Sequence, residues 1–196
     1  MIEKILIMIL SGSFLVVFFT RNILVKKRTG QPVRSRNRIV IASIVLTTLC
    51  FFVVTFSTYS KQWYHFMGAI SFFRHPFISY VGIFLFGVSI ISVWIVSEQL
   101  KDSWRIGIHE DQKTELIKNG IYAYARNPYF LSYYIMFFSF FLVRPSLVLA
   151  ALILATIINF HRMILKEETH LLNMHGKEYE QYKKKTGRYL PRLGKG

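Results

Sequence analysis

The sequence predicts an all-α, polytopic membrane protein with about five transmembrane helices. Hydrophobic residues make up 53% of the 196 positions, and the mean hydropathy is +0.35. The apolar residues come in long runs, which the core of a soluble domain of this size cannot absorb. The 25 lysines and arginines are concentrated in alternate connections between those runs, as in proteins that cross a bilayer.

Five apolar segments account for the predicted spans. The first, second, third and fifth come close to the ~20 residues that a helix needs to cross a ~30 Å hydrocarbon core. The fourth is shorter because it is bounded by Pro128 and Arg144-Pro145, which indicates a tight turn between two antiparallel helices. The segments cover residues 5–20, 39–58, 76–97, 129–143 and 146–164.

The first segment has the hydrophobicity of a signal peptide, but we interpret it as a retained span. Glu3 offsets the single early lysine, Lys4, and no clear small-x-small cleavage site follows.

The basic residues predict the orientation of the chain. Seven lie in residues 21–38, five in 99–128 and nine in 162–196, so that 21 of the 25 fall on one side. The other side holds Lys4, Lys61, Arg74 and Arg144. The positive-inside rule therefore predicts that the C-terminus faces the cytoplasm and the N-terminus lies outside.

The net charge of +15 is also compatible with nucleic-acid binding, but the lopsided distribution is explained more simply by anionic lipid at cytoplasmic loops. We therefore expect a membrane environment and no nucleic-acid partner. The single cysteine, Cys50, lies in an apolar run and indicates a small buried side chain. No metal site is expected.

Two Arg-x-Pro sequences are candidates for a functional site. Arg74-His75-Pro76 lies on the predicted outer face among aromatic residues, and we interpret it as the start of the third span. Arg126-Asn127-Pro128 lies on the predicted cytoplasmic face and begins a helix with proline near its first position. A helix N-terminus offers free N–H groups, and an arginine beside it can hold a carboxylate or phosphate.

A pair of carboxylates, Glu167 and Glu168, follows the fifth span and returns to the same face as Arg126. Adjacent helical residues point about 100° apart. We therefore expect one carboxylate to face inward and the other to make a structural bond, with Arg126, Arg162 or Lys166 as its partner. After the Gly176 stop, Tyr179 and Tyr182 share one face of a basic amphipathic helix that we expect on the lipid surface.

A motif of fixed order links these blocks. It begins Gly120-Ile-Tyr122-Ala-Tyr-Ala-Arg126-Asn127-Pro128-Tyr129-Phe130. After an apolar hairpin it continues Glu167-Glu168-Thr-His-Leu171 and His175-Gly176-Lys-Glu178-Tyr179-Glu-Gln-Tyr182, and it closes at Pro191-Arg192-Leu193. In order, spacing and hairpin length it resembles the isoprenylcysteine carboxyl methyltransferase family of integral-membrane enzymes, to which the phospholipid N-methyltransferases are related. The resemblance covers roughly residues 104–193.

The resemblance implies an S-adenosylmethionine-dependent methyltransferase with a cytoplasmic, C-terminal cofactor pocket and a lipidic or lipidated substrate. The cofactor contacts that it implies are Thr114, Glu115, Leu116, Ile117, Tyr122, Asn127, Pro128, Tyr129, Phe130 and Glu167, with His109 as a looser match. The catalytic residues that we expect are Arg126, Glu167 and Glu168. Arg126 or Arg162 would bind an acidic substrate.

Three positions depart from the family pattern. Asn127 replaces a histidine, which keeps hydrogen bonding but removes a titratable group. Phe130 replaces a tyrosine. Met163 replaces an arginine that holds the substrate carboxylate in the family, and Arg162 is its neighbour. The first two departures are compatible with cofactor binding. The third affects the acceptor half, so a prenylated peptide, a phospholipid amine and another isoprenoid acid all remain candidates.

Two other functions stay open on the sequence: a sterol-reductase-like enzyme that uses NADPH, and a non-enzymatic membrane scaffold or transporter subunit. We expect residues 1–100 to form a three-span transmembrane region and residues 101–196 to form the catalytic region. The sequence leaves the oligomeric state open.

Overall fold

The computed structural model describes residues 2–30, 33, 37–73, 75–104 and 115–192. These residues form seven α-helices and three short 3-10 turns, with two isolated β-bridges and no strand among them. The helices are α1 Ile2–Thr29, α2 Arg38–Tyr59, α3 Lys61–Phe66, α4 Pro76–Leu100, α5 Pro128–Val143, α6 Leu147–His175 and α7 Lys177–Lys185. The 3-10 turns are Ser71–Phe73, Lys101–Ser103 and Gly120–Ala123.

Four helices, α1, α2, α4 and α6, are long and apolar enough to cross a membrane by length and composition. The shorter α5 has 16 residues and spans about 24 Å at 1.5 Å per residue. Large apolar side chains such as Val16, Phe84 and Leu154 are exposed on the outer surface, where only lipid makes their exposure favourable. The prediction of an all-α polytopic membrane protein is confirmed.

The helix ends follow local signals in the sequence. The side chains of Asn37 and Ser146 accept hydrogen bonds from the first turns of α2 and α6, which satisfies N–H groups that the helix leaves unpaired. Pro128 occupies the first turn of α5. Gly176, with φ of +52°, ends α6 because glycine enters the left-handed region without steric cost.

The helices pack through small residues and aromatic rings. α4 lies against α5, and Gly82 permits this approach because a Cβ there would meet Val143 Cγ2 at 2.8 Å and the Ser139 carbonyl oxygen at 2.9 Å. α2 packs on α6 and α1 packs on α4. Rings of Phe14, Phe51, Phe86 and Phe140 meet in the centre.

The turn between α5 and α6 closes one end of the bundle. Arg144 is buried there, donates to the Ser57 carbonyl oxygen at 3.3 Å and pairs with Glu3 at 2.5 Å. The Tyr64 hydroxyl donates to the Pro145 carbonyl oxygen at 3.0 Å. These bonds join α1, α2, α3 and the turn, and they leave the opposite end, where α5 begins, to form a site. We call the end of the bundle with the α5–α6 turn the closed end, and the end where α5 begins the site end.

His75 has a structural position in this fold. Its ring Nδ1 accepts from the Phe77 amide at 3.3 Å at the start of α4, and the residue is exposed. It does not line the cavity described below, in line with the interpretation of this sequence as a helix start. Arg74 lies outside the described residues. The division of the chain at residue 100 stays a prediction.

Candidate functional site

A cavity of about 790 Å³ opens at the site end and continues between α1 and α2. Eight of the ten predicted cofactor contacts line it, together with the two other predicted catalytic residues. The lining from these predictions is Glu115, Leu116, Ile117, Tyr122, Arg126, Asn127, Tyr129, Phe130, Glu167 and Glu168. The segments that supply them are far apart in sequence, so the fold brings them together.

Three predicted residues have other positions. Pro128 is buried as the first residue of α5 and does not line the cavity. Arg162 is exposed on α6 and does not line it either, whereas Met163 does. Thr114, like the looser match His109, lies outside the described residues.

Glu168 is the centre of a buried ion-pair network. Its Oε1 accepts from Arg126 Nη2 at 2.9 Å and from Arg126 Nε at 3.2 Å, and its Oε2 accepts from Arg188 Nη2 at 2.9 Å. The Asn127 amide lies 3.4 Å from Oε1. Of the partners predicted for the carboxylate pair, Arg126 is thus found, and Arg188 was missed.

The network fixes the tail that follows α7. The main-chain N–H of Arg126 donates to the Gly187 carbonyl oxygen at 2.9 Å, and the main-chain N–H of Asn127 donates to the Arg188 carbonyl oxygen at 3.0 Å. Arg126 Nη1 donates to the carbonyl oxygens of Thr186 and, at 3.2 Å, Lys183. The tail therefore binds the N-terminus of α5 through main-chain groups. No side-chain pattern in the sequence indicates such bonds, and this explains why Arg188 was missed.

Glu167 and Tyr122 form the polar part of the cavity wall. Among the described residues, the buried Tyr122 hydroxyl has no hydrogen-bond partner. Burial raises the pKa of this hydroxyl well above its ordinary value, and the neighbouring Glu167 charge raises it further. Tyr122 is therefore a neutral donor that faces a carboxylate. Leaving a buried polar group unpaired costs free energy, which indicates that a ligand or water completes this site.

The tyrosine face of α7 packs against the site. Tyr179 and Tyr182 are 1% and 8% exposed, and the Tyr182 hydroxyl donates to the Tyr122 carbonyl oxygen at 2.6 Å. The location of α7 on the lipid surface stays a prediction, but its tyrosine face packs against protein. Both environments remove a tyrosine ring from water, so the period of the sequence alone does not distinguish them. The exposed face carries Lys183, Lys184 and Lys185.

The described segment 115–123, which we call the donor loop, is held by α4. The Gln99 side-chain oxygen accepts from the Ile121 amide at 2.9 Å. Gly120 has a φ of +60°, and a Cβ there would lie 2.5 Å from that same oxygen. Gln99 was missed in the sequence because a single glutamine at a helix end has no distinctive pattern.

Aromatic rings form the adjoining wall. Trp104 packs edge-on against Tyr129 with ring centroids 6.1 Å apart, and the Tyr129 and Tyr133 hydroxyls are 3.3 Å apart. The Arg21 guanidinium lies over the Trp104 ring at 6.0 Å and donates to the Ser97 carbonyl oxygen and to Glu98. α1 is thereby joined to the end of α4 beside the site.

The remainder of the cavity is mostly apolar and follows two helix faces. On α2 the lining residues include Ser43, Thr47, Phe51 and Thr55, and they recur every four residues. They extend about 18 Å along the helix at 1.5 Å per residue. One face of α1, from Ser11 to Asn22, lines the other side. The cavity therefore combines a polar site with a long apolar groove.

A family comparison agrees with this geometry. Residues 77–178, more than half of the chain, match the model of the phospholipid methyltransferase family, abbreviated PEMT. The chain belongs to the phospholipid methyltransferase family. It is therefore a membrane methyltransferase, and the matched region contains α4, α5, α6 and the donor loop. The α1–α2 side of the groove lies outside the matched residues.

One similar curated protein is the nickel-cobalt-cadmium resistance protein NccN of Alcaligenes xylosoxydans xylosoxydans, which is 26% identical over 82 residues. The match covers 42% of this chain and 38% of that protein. In the part of the chain that the structure describes, no group of three or more His, Cys, Asp and Glu side chains is placed to hold a metal ion.

Proposed function

We propose that this protein transfers a methyl group from S-adenosylmethionine to a lipidic acceptor at the cytoplasmic face of a membrane. The observation that carries the proposal is the convergence of the donor loop, the start of α5 and Glu167 on one cavity with an apolar extension. Family membership supplies the reaction class. The cofactor, the acceptor and the membrane face are the further steps argued below.

The polar end of the cavity fits the donor. Hydrogen-bonding groups for a nucleoside and an amino acid come from the donor loop, Asn127 and the unpartnered Tyr122 hydroxyl. Rings of Tyr129 and Phe130 offer flat apolar surface beside them. S-adenosylmethionine, when bound, supplies a methyl group on a positively charged sulfur.

The charges of the lining favour this donor over NADPH. In the described lining the carboxylates are Glu115, Glu167 and Glu168, and the one cationic side chain is Arg126. Arg126 already pairs with Glu168. A cationic ligand gains from such a lining, whereas the phosphates of NADPH need free cations. Glu167 is the carboxylate that we assign to the donor, either to its amino group or to its sulfonium charge.

The apolar groove is the proposed acceptor site. Its lining between α1 and α2 is continuous with the donor site, so a hydrocarbon chain in the groove places its polar end next to the donor. Binding there removes apolar surface from water, the main favourable term for such chains.

The hydrogen bonds that Arg126 already makes within the protein limit which polar group the acceptor can carry. Four of its N–H···O bonds go to Glu168, Lys183 and Thr186, and Arg162 is exposed outside the cavity. We therefore assign Arg126 a supporting role. An uncharged nucleophile such as a neutral amine then fits this site better than a carboxylate.

The residues contribute alignment and exclusion of water. The aromatic wall and the buried Tyr122 create a water-poor site, in which two bound reactants lose little further entropy on reaching the reacting geometry. Glu168 acts through Arg126 and Asn127 by fixing the start of α5. The proposed reaction needs no covalent intermediate on any described residue.

Calorimetry in detergent tests the donor assignment. We expect wild-type protein to bind S-adenosylhomocysteine, the demethylated product, and Glu167→Ala to bind it at least about tenfold more weakly, since a buried charged hydrogen bond is removed. Glu180→Ala is the matched control, because Glu180 is exposed on α7.

Two outcomes count against the proposal. Wild-type protein that binds NADPH but not the demethylated product supports the reductase alternative. Wild-type protein that binds neither ligand, and tolerates substitution of Glu167 and Arg126 in cells, supports the scaffold alternative. The demethylated product keeps the amino group of the donor but lacks the sulfonium charge. Equal affinity of Glu167→Ala and wild type for this product therefore removes the amino-group contact assigned to Glu167.

A further inference from the structure

The donor loop reaches the cavity between two supports, one on α4 and one on α7. Residues 115–119 of the loop lie outside helices and strands, and they lead into the 3-10 turn Gly120–Ala123 before α5. Short turns of this kind have poor internal hydrogen bonding. Their position therefore depends on bonds to neighbouring elements.

The first support is Gln99, in the last turn of α4. Its side-chain oxygen accepts the Ile121 amide proton at 2.9 Å, one residue before Tyr122. Gly120 lets the main chain pass so close to this side chain that a Cβ would overlap it at 2.5 Å. Glycine at position 120 therefore admits the Gln99 side chain where a larger residue would displace it.

The second support is Tyr182 of α7. Its hydroxyl donates to the Tyr122 carbonyl oxygen at 2.6 Å. The peptide units on both sides of Tyr122 are thus held from opposite directions, one through its N–H and one through its C=O. The side chain between them points its unpartnered hydroxyl into the cavity wall beside Glu167.

We propose that Gln99 is a positioning residue for the methyl donor, acting through the Ile121 amide to hold the donor loop and Tyr122 at the cavity. Gln99 itself does not line the cavity, so it acts without touching the ligand. The inference rests on the proposed function, since it assumes that the donor occupies the polar end. The role proposed for Gln99 requires a hydrogen-bond acceptor oxygen at the end of a side chain of this length.

A pair of variants tests that requirement. Gln99→Glu keeps an oxygen acceptor of the same reach, whereas Gln99→Met keeps the length and removes the oxygen. In calorimetry with S-adenosylhomocysteine we expect Gln99→Met to bind about three to ten times more weakly, as one lost hydrogen bond predicts, and Gln99→Glu to stay within about twofold of wild type. Thermal unfolding of the ligand-free proteins separates loss of affinity from loss of general stability.

Tyr182→Phe provides an independent arm, because it removes one oxygen from the second support and leaves the ring in place. We expect a loss of affinity of the same size, about threefold to tenfold. Wild-type affinity for Gln99→Met overturns the inference, as does a Gln99→Glu variant as weak as Gln99→Met. If Gln99→Met gives no folded protein, wild-type affinity for Tyr182→Phe overturns the two-sided support of Tyr122 on which the inference depends. If wild-type protein itself binds no S-adenosylhomocysteine, the proposed function fails first, and this inference fails with it.

Discussion

Among single residues, Glu168 contributes most to holding the parts of the site together. Its side chain and that of Arg126 are 6% and 7% exposed, and the carboxylate joins the start of α5 to the tail that follows α7. A carboxylate in this position is favourable only with its partners, since an unpaired buried charge is costly. Glu168 therefore stabilises the structure, whereas Glu167 lines the cavity without an ion-pair partner among the described residues.

Glu168→Ala is expected to lower the free energy of unfolding by about 3–5 kcal/mol, because it leaves Arg126 buried without its partner. The measurement is denaturation in mixed micelles, followed by tryptophan fluorescence. Glu168→Gln is the matched control, since it keeps acceptor oxygen for Arg126, and we expect a smaller loss. A loss below about 1 kcal/mol for Glu168→Ala, typical of a surface pair, contradicts this account.

Substitution of Gly120 tests the importance of the left-handed turn at the start of the 3-10 turn. We expect Gly120→Ala to destabilise the protein by about 1–2 kcal/mol, because its φ of +60° disfavours a Cβ and the new methyl group meets Gln99 at 2.5 Å. Gly12→Ala in α1 is the control, since no atom lies within 4 Å of its built Cβ. Alanine there is expected to be neutral or stabilising by about 0.5–1 kcal/mol. Equal effects of the two changes contradict the role of the left-handed turn.

Residue types in a fixed order predicted which side chains come together at the cavity, and topology is the physical reason. Their binding of a methyl donor stays a prediction. Arg126 and Asn127 are adjacent to a proline-started helix, and Glu168 follows a span that returns to the same face, so their proximity follows from topology. Gln99 binds the main-chain amide of Ile121. Arg188 reaches the Glu168 side chain because main-chain bonds hold the tail at the start of α5. A main-chain bond leaves no trace in side-chain identity, so these two residues were found only in the structure.

At the scale of elements, α7 and the tail form the support of the site. Burial and, next, the Glu168 charge raise the pKa of the Tyr179 hydroxyl to about 12. The ordinary tyrosine value, which applies to the unfolded chain, is about 10. Between these values the unfolded state has lost a proton that the folded state keeps, so stability is full below pH 10 and falls as the pH rises toward 12.

Tyr179→Phe removes this ionisation and is expected to flatten the alkaline fall. The two-unit shift corresponds to about 3 kcal/mol at most, and Tyr122 and Tyr182, whose pKa values are also raised by burial, leave a remaining slope. The measurement is the thermal midpoint at pH 9 to 12 in detergent, for wild type and variant. Parallel curves for the two proteins exclude a contribution from Tyr179.

The spans were predictable because a bilayer demands about 20 apolar residues in a row, and the observed helices contain each predicted segment except the first residue of the fifth, at the Ser146 cap. The surroundings of α7 were not, since its tyrosines meet protein where lipid was expected. The groove between α1 and α2 could not be predicted from the sequence either. Lipid-facing and groove-facing apolar residues have the same composition, and only the packing of α1 on α4 and of α2 on α6 separates them.

At the scale of the whole molecule, the two ends of the bundle differ in charge. The described basic residues of the site end include Lys26, Lys27, Arg28 and the three consecutive lysines of α7. The described lysines and arginines of the closed end are Lys4, Lys61 and Arg144, and Arg144 pairs with Glu3. Anionic lipid and the insertion machinery favour a basic end in the cytoplasm. We therefore predict this orientation, which would give the proposed soluble methyl donor access to the cavity.

Reporter fusions test this orientation. We expect green fluorescent protein fused after Gly196 to fluoresce in bacterial cells, and alkaline phosphatase inserted in the turn after Tyr59, at the closed end, to be active. The paired controls exchange the two reporters, and each should then be inactive, because each reporter folds on one side of the membrane. The opposite pattern places the cavity mouth outside the cell, away from the cytoplasmic methyl donor. That result contradicts the proposed reaction even if purified protein binds the demethylated product.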